Sequence, residues 1–207
     1  MIEDSIVAPL MCIPPIGFFI EAKKANSVII DAGEHYVKQT IRNRYHILSA
    51  NGVLALSIPV IGQEGAKVPT GQIIIDYSKD WQRNHLRTVD AAYRSSPFYD
   101  YYADTFREIL LSGSVSLRDF AEKSLKTWVD LLELEFEWNV NDRYSEGSYS
   151  LDLRGRIKQP GDFPTDRDWK PYVQVFADRF AFQENLSVLD ILFNLGPEAG
   201  SLIKEMS

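Results

Sequence analysis

The chain has 207 residues, of which 45% are hydrophobic, 12% aromatic and 25% charged, and its formal net charge is −7. This length suits a single domain over residues 1–207, and the composition is that of a soluble globular protein. The acidic balance argues against nucleic acid or an anionic membrane as partner, because both are bound through basic surfaces.

The ends and the cysteine content limit the cellular setting. The first residues lack a cationic leader pattern, and no apolar run reaches the roughly 18 residues of a membrane span. The single cysteine, Cys12, excludes an intramolecular disulfide and a cysteine-based zinc site. Because its neighbours are apolar, we expect Cys12 to be a buried, inert thiol. These features predict a cytoplasmic protein.

The first 60 residues predict a βαβ unit followed by a hairpin. The apolar runs at 5–13 and 28–31 are typical of buried strands, and the prolines before residue 16 suit the start of a helix over 16–25. A strand, a helix and a strand in close succession predict a parallel pair with a right-handed crossover. The alternating runs within 45–60 flank Asn51-Gly52, a pair favoured by two-residue hairpin turns.

The remaining chain predicts helices that cover a mixed sheet, so the fold class is α/β with a βαβ start and an antiparallel hairpin. Residues 141–171 are rich in Gly, Pro and charge, which indicates a lid or a long loop. The other predicted strands lie at 72–77, 135–140 and 173–176, and further helices lie at 81–94, 98–111 and 187–195. A further helix begins after Ser116, with Asp119 placed as in a capping box. Gly196 is the predicted C-cap of the helix at 187–195.

Residues 34–44 concentrate hydrogen-bonding side chains just before the hairpin. Arginine binds phosphate or carboxylate through two parallel hydrogen bonds, and lysine adds a point charge. Three cations within this stretch of an acidic chain predict a site for a small anionic molecule bearing phosphate or carboxylate. The alternative is a solvated charged loop. The residues assigned to ligand binding are Tyr36, Lys38, Gln39, Arg42, Asn43 and Arg44.

Glu34 and His85 are the candidates for a catalytic general base. An imidazole titrates near neutral pH, which suits proton transfer. The alternative for His85 is a hydrogen-bonded histidine at the edge of the core, on the same helical face as Trp81. The histidine spacing predicts no metal site, and the common nucleotide-binding and hydrolase motifs do not occur, so the sequence names no cofactor.

Asp190 lies among apolar residues of the last predicted helix, where a carboxylate needs a partner or becomes neutral. We expect Arg179 or Arg42 to be that partner, and we assign Arg179, Asn185 and Asp190 to ligand binding. The alternative is a structural ion pair that docks the C-terminal helix, with Asn185 as a helix cap.

An ordered series of short motifs runs through most of the chain. The motifs are Ile13-Pro14-Pro15-Ile16-Gly17-Phe18-Phe19, Glu34-x-Tyr36-x-Lys38-Gln39, Arg42-Asn43-Arg44, Ala92-Tyr93-x-Ser95-Ser96-Pro97, Asp152-Leu153-Arg154, Gln174-Val175-Phe176, Asn185-Leu186-Ser187-x-Leu189-Asp190 and Gly196-Pro197-Glu198. This series resembles the WbqC-like protein family. The resemblance implies a bacterial transferase that modifies an activated sugar or acyl group during O-antigen or other surface-polysaccharide biosynthesis.

The chain departs from that family at one place. Many members carry His-Gln-Pro where this sequence reads Ala8-Pro9-Leu10. If that histidine is catalytic in those members, its absence favours a non-catalytic protein that binds a small anion. A third interpretation treats the cations as a structural network that ties the hairpin to the C-terminal helix.

Overall fold

The computed structural model describes residues 5–25, 27–61, 67–155, 157–164 and 169–207. The strands in these ranges are β1 (Ser5–Pro9), β2 (Ser27–Asp31), β3 (Arg44–Ser49), β4 (Gly52–Ser57), β5 (Glu137–Asn141) and β6 (Leu151–Asp152). The helices are α1 (Ile16–Lys24), α2 (Trp81–Tyr93), α3 (Tyr99–Leu110), α4 (Leu117–Leu131), α5 (Val188–Leu195) and α6 (Glu198–Met206). Short 3-10 turns lie at Thr70–Gln72 and Pro160–Asp162.

Four strands form a parallel sheet in the order β5-β2-β1-β6. The central strand β1 is buried along its whole length, as its apolar sequence requires. The parallel pairing of β1 with β2 confirms the predicted βαβ unit, in which α1 makes the crossover. Because all four strands run in the same direction, their carboxyl ends meet at one edge of the sheet.

The strands β3 and β4 form a separate antiparallel hairpin. Ser49 pairs with Gly52, and the positive φ of +97° falls on Gly52, where the missing Cβ removes the steric cost. The α/β fold class is therefore confirmed, with the parallel strands and the hairpin in two sheets.

The helices bury apolar faces with the spacing that the sequence predicts. In α2 the buried residues include Trp81, His85 and Val89, four positions apart. The capping box of Ser116 and Asp119 is present at the start of α4, as predicted. Within the described ranges, no helix combines the length and apolarity that crossing a bilayer needs.

Two predicted strands are wrong. Residues 72–77 make isolated bridges after a 3-10 turn, and residues 173–176 run into turns. Phe176 has a φ of 63°, which lies outside the β region and ends any strand there. The segment 141–171 contains β6 and a 3-10 turn, although residues 156 and 165–168 lie outside the described residues, and its role as a lid stays a prediction.

The sequence does not predict the helix α6, because Gly196 followed by Pro197 indicates only the end of α5. Pro197 is instead the N-cap residue of α6. Gly200 lets this helix pack against the end of α4, since a Cβ at position 200 would lie 1.9 Å from the carbonyl oxygen of Leu132.

The substitution Gly200→Ala should therefore lower the free energy of unfolding by about 1–3 kcal/mol, because a backbone carbonyl cannot move aside without shifting α6. Urea unfolding measures the change. Gly161→Ala is the matched control, since a Cβ there meets no atom within 4 Å of the described residues. Equal stability of the two variants would contradict the close packing of α6.

Candidate functional site

The carboxyl edge of the parallel sheet carries polar residues at three strand ends. The strand β2 ends in Asp31, β5 ends in Asn141 and β6 ends in Asp152. Ligands of open α/β sheets bind outside this edge, where the loops that follow the strands diverge. The polar side chains on these loops are therefore candidates for a functional site.

Asp31 is fully buried and joins the loops at this edge. Its Oδ1 accepts hydrogen bonds from the backbone N–H groups of Gly33 at 2.9 Å and Glu34 at 3.0 Å. Its Oδ2 accepts from the backbone N–H of Ser145 at 3.0 Å and from Nη1 of Arg154. Asp31 therefore fixes the path of the chain that leads to Glu34.

Gly33 explains how two of these loops approach so closely. A Cβ at this position would lie 2.2 Å from backbone atoms of Arg143 and Tyr144. The loop after β5 therefore crosses directly over the loop after β2, and only glycine leaves room for it.

Arg154 is buried and pairs with two carboxylates. Its Nε and Nη2 donate to Asp152 at 3.1 and 2.8 Å, and Nη1 also donates to the carbonyl oxygen of Ser145 at 2.7 Å. The ring of Tyr144 lies 4.3 Å from the guanidinium carbon, a cation–π distance. These contacts hold the guanidinium in one orientation.

Glu34 and Arg42 form a second buried ion pair. Oε1 of Glu34 accepts from Nε and Nη2 of Arg42 at 2.9 and 2.5 Å, and Nη1 of Arg42 donates to Thr40 at 3.1 Å. No donor in the described part of the chain contacts Oε2 of Glu34. Burial raises the pKa of Glu34, and Arg42 partly offsets this increase. A carboxylate with a raised pKa and one uncommitted oxygen has the properties of a general base.

The predicted cation cluster divides into one paired and two unpaired members. Arg42 is 1% exposed and its guanidinium is engaged within the protein. Lys38 is exposed, and Nε of Arg44 donates to the hydroxyl of Ser57 at 2.9 Å. Within the described ranges, no carboxylate pairs with Lys38 or Arg44. These two residues carry the positive charge that remains available to an anion.

Tyr36 lies near this charge. Burial and the neighbouring Cys12 raise the pKa of its phenol to about 12, while Arg42 and Arg44 act in the opposite direction. At neutral pH Tyr36 is therefore a hydrogen-bond donor. Cys12 is fully buried, and burial raises the pKa of its thiol far above the ordinary range, in agreement with the predicted inert thiol.

His85 is committed to packing contacts. Its Nδ1 lies 3.0 Å from the hydroxyl of Tyr45, its ring bonds the backbone of Ser57, and it packs edge-on against Trp81. Burial lowers the pKa of His85 from 6.5 to about 4. The ring is therefore neutral at physiological pH, and its contacts with Tyr45, Ser57 and Trp81 favour the core-edge interpretation, while its role as a base stays a prediction.

Asp190 occupies a different part of the molecule. It is fully buried and accepts hydrogen bonds from Tyr93 at 2.7 Å, Tyr172 at 2.6 Å and Gln174 at 2.8 Å. Burial raises its pKa, and these three neutral donors lower it. The prediction that an arginine pairs with Asp190 is wrong, because neutral donors satisfy this carboxylate without burying a second charge.

The two arginines proposed for Asp190 lie elsewhere. Arg42 binds Glu34, and Arg179 is exposed with its Nε 3.7 Å from Asp178. Asn185 bridges two segments: its Oδ1 accepts from the N–H of Gly17 at 2.6 Å, and its Nδ2 donates to the carbonyl of Pro160 at 2.5 Å. Asn185 thus caps α1 instead of the helix that follows it.

The polar residues at 38–44 that complete the predicted set have mixed surroundings. Gln39 is exposed with a φ of 60°. Nδ2 of Asn43 donates to the carbonyl of Ile58 at 2.8 Å, while its buried Oδ1 has no partner among the described residues. Among all the residues that the structure describes, no group of three His, Cys, Asp or Glu side chains is arranged to hold a metal ion.

The model of the WbqC-like protein family matches residues 11–159. The chain belongs to this family. The matched residues include both ion pairs at the carboxyl edge and all of residues 34–44. The motifs after residue 159, including Asn185 and Asp190, lie outside the match, and so does the Ala8-Pro9-Leu10 segment. No curated protein and no solved structure matches the chain.

Two residues of the carboxyl edge were not among the predicted site residues. Asp31 ends a predicted strand and precedes Gly33, a pattern that signals a tight loop at the carboxyl edge of a parallel sheet. Arg154 stands in the Asp152-Leu153-Arg154 motif, but its partner Asp31 is far away in sequence. Periodicity does not reveal such a pair.

The depressed pKa of His85 makes stability depend on pH. The unfolded chain protonates near 6.5 and the folded ring near 4, so the contribution of His85 is complete above 6.5 and is lost as the pH falls towards 4. The full effect is about 3 kcal/mol, and about 2 kcal/mol of it is lost between pH 7 and pH 5.

We expect His85→Gln to remove this part of the loss, as measured by urea unfolding at pH 7 and pH 5. Asn84→Gln, on the exposed face of the same helix, is the control and should keep the wild-type pH dependence. If His85→Gln loses as much stability between pH 7 and pH 5 as the wild type, the pKa of His85 is not depressed in this way. His85 would then remain a candidate for the general base.

Tyr172→Phe tests the Asp190 network. Removal of the hydroxyl leaves Asp190 Oδ2 with one donor fewer, and the loss should be about 1.5–3 kcal/mol at neutral pH, as for hydrogen bonds to charged groups. The control is Tyr99→Phe, whose hydroxyl lies 3.3 Å from the half-exposed Asp90 and should cost less than about 0.5 kcal/mol. Thermal unfolding of both variants decides whether the buried carboxylate depends on this donor.

Proposed function

We propose that this protein is a transferase that acts on an activated sugar or acyl substrate bearing phosphate or carboxylate. The observation that carries the proposal is the state of Glu34. It is a buried carboxylate with a raised pKa and an uncommitted oxygen, at the ligand-binding edge of a parallel sheet. Lys38 and Arg44, in the same 34–44 stretch, supply positive charge that no carboxylate of the described residues neutralises.

The proposed reaction assigns one role to each residue. Glu34 removes the proton from the acceptor hydroxyl or amine as that atom forms its bond to the activated carbon. The bond from this carbon to the leaving group breaks with its electron pair, and the leaving group takes up a proton from water. Lys38 and Arg44 hold the phosphate or carboxylate, and Tyr36 donates a hydrogen bond to it.

The amide side chains of the same stretch complete the proposal. Gln39 is exposed and suits a hydroxyl group of a sugar. The acceptor oxygen of Asn43 is buried, so we assign Asn43 to the support of the loop through its hydrogen bond to Ile58. Arg42 is assigned to the orientation of Glu34. Asn185 and Asp190 have internal partners, and Arg179 lies at the surface beside Asp178, so we leave these three residues out of the site.

Family membership supports a biosynthetic setting. The resemblance to WbqC-like proteins encoded with O-antigen genes implies surface-polysaccharide biosynthesis, and the proposal places the reaction in the cytoplasm, with a small anionic molecule as substrate. Nothing in this setting requires nucleic acid or a membrane as partner.

A second candidate is a non-catalytic protein that binds a small anion. The observation that favours it is Ala8, which stands where many family members carry histidine. Ala8 is fully buried in β1 and offers only a methyl group. If the family reaction needs an imidazole at this strand end, the binding residues remain and the reaction is lost.

A thermal-shift screen distinguishes these functions. The probes are UDP-glucose, acetyl-CoA, inorganic phosphate and pyrophosphate, each up to millimolar concentration. A probe at ten to one hundred times its dissociation constant stabilises the protein by about 1.4–2.7 kcal/mol. We expect at least one probe to raise the melting temperature, and Lys38→Ala and Arg44→Ala to abolish that rise. Arg107→Ala, a cation on α3 paired with Asp104, is the control and should keep it.

Consumption of the binding probe separates the enzyme from the binder. For a transferase, Glu34→Gln keeps the thermal shift and loses consumption of the donor in the presence of an acceptor. For a binder, the wild type itself consumes none. If no probe shifts the melting temperature of the wild type, both candidates fail and the structural interpretation of the cations stands.

A further inference from the structure

We propose that Asp31 and Arg154 are positioning residues for Glu34: Arg154 orients the Asp31 carboxylate, and Asp31 fixes the backbone from which Glu34 projects. The use of this arrangement in a reaction rests on the function proposed above. The arrangement itself is a property of the free protein and is tested there.

The first step of the argument is the contact between Asp31 and the chain after it. One carboxylate oxygen accepts the N–H groups of two successive residues, Gly33 and Glu34, at 2.9 and 3.0 Å. This is the turn geometry by which an aspartate holds the backbone two and three residues ahead. The start of the Glu34 side chain is thereby set by the end of a central β-strand, which is among the most rigid parts of the fold.

The second step is the restraint on Asp31 itself. Its other oxygen accepts from Ser145 N–H and from the Arg154 guanidinium. That guanidinium is held by Asp152 on the opposite side and lies under the ring of Tyr144. Asp31 thus has donors on both oxygens, and rotation of its carboxylate would break four hydrogen bonds.

The third step is charge. Three charged residues act on Glu34 across the described part of the chain: Arg42 and Arg154 favour its ionised form, and Asp31 disfavours it. Arg42 contacts the Glu34 carboxylate directly. Asp31 instead contacts the backbone N–H of Glu34, and Arg154 contacts Asp31. A base held in this way keeps its direction and its protonation state, which are the two properties that proton transfer requires.

A purely structural ion pair is the competing explanation. Buried ion pairs contribute little net stability relative to apolar residues of the same shape, so stability alone gives weak reason for this arrangement. The two explanations differ in the titration of Glu34. If Arg154 acts on Glu34 through charge and orientation, its removal pushes the pKa of Glu34 further above 4.5. If it only stabilises the fold, its removal loosens the site and moves the pKa back towards 4.5.

The experiment follows the carboxyl carbon of Glu34 by NMR in protein labelled with ¹³C-glutamate, with Glu34→Gln used to assign the resonance. We expect Arg154→Met to raise the pKa of Glu34 and Asp31→Asn to lower it. Arg154→Lys keeps the positive charge and one donor direction, and its value should lie between those of the wild type and Arg154→Met. Arg107→Met, which removes an exposed guanidinium from α3, is the control and should leave Glu34 unchanged.

Tyr144→Ala carries the test if the charge variants fail to fold, because Tyr144 is 56% exposed and its loss changes no charge. It frees the Arg154 guanidinium and should shift the pKa of Glu34 in the same direction as Arg154→Met.

A fall of the Glu34 pKa towards 4.5 in Arg154→Met, or no response of this pKa to either Arg154→Met or Tyr144→Ala, overturns the proposal. A response of Glu34 without any thermal shift by the anion probes keeps these positioning roles and rejects the proposed function. Probe binding without a response of the Glu34 pKa rejects the positioning roles and leaves the proposed function in place.

Discussion

The Asp31 carboxylate is the contact on which the polar edge of this protein depends. A carboxylate that is fully buried must have its lone pairs satisfied, and here four donors from three loops converge on it. The parallel pairing of β1 with β2 places the residue at the carboxyl edge of the sheet. The loops after β2, β5 and β6 are therefore held together by one side chain, and the position of Glu34 follows from it.

Burial also decides which charges a ligand can meet. A guanidinium removed from water needs a carboxylate partner, so Arg42 and Arg154 are each neutralised inside the protein. The positive charge of the 34–44 stretch is consequently smaller than its composition suggests, and it lies on Lys38 and Arg44. The buried pairs hold the Glu34 and Asp31 carboxylates in place, and only Lys38 and Arg44 of this stretch keep a charge that no carboxylate of the described residues neutralises.

The C-terminal part solves a similar problem with neutral groups. Two tyrosine hydroxyls and one glutamine amide surround Asp190, and one of these hydroxyls also accepts the backbone N–H of Leu48. The carboxylate thereby links α5 to α2, to the hairpin and to the segment around residue 172. Burial raises the pKa of Asp190, and the three neutral donors offset this increase only in part.

Local chemistry in the sequence determined the elements whose causes are local. The βαβ start, the position of the hairpin, the capping box at Ser116 and the glycine end of α5 follow from periodicity and from residues a few positions apart. The sequence likewise located Glu34 and the cations around it. The strand predicted at 173–176 does not form, because Phe176 has a positive φ, a conformation that residue type alone does not signal. Only the tertiary structure decided which charges are paired, because Arg154 meets Asp31 across 123 positions and Asp190 meets Tyr93 across 97. Burial forces each charged group to find a partner, and the fold determines which one lies within reach.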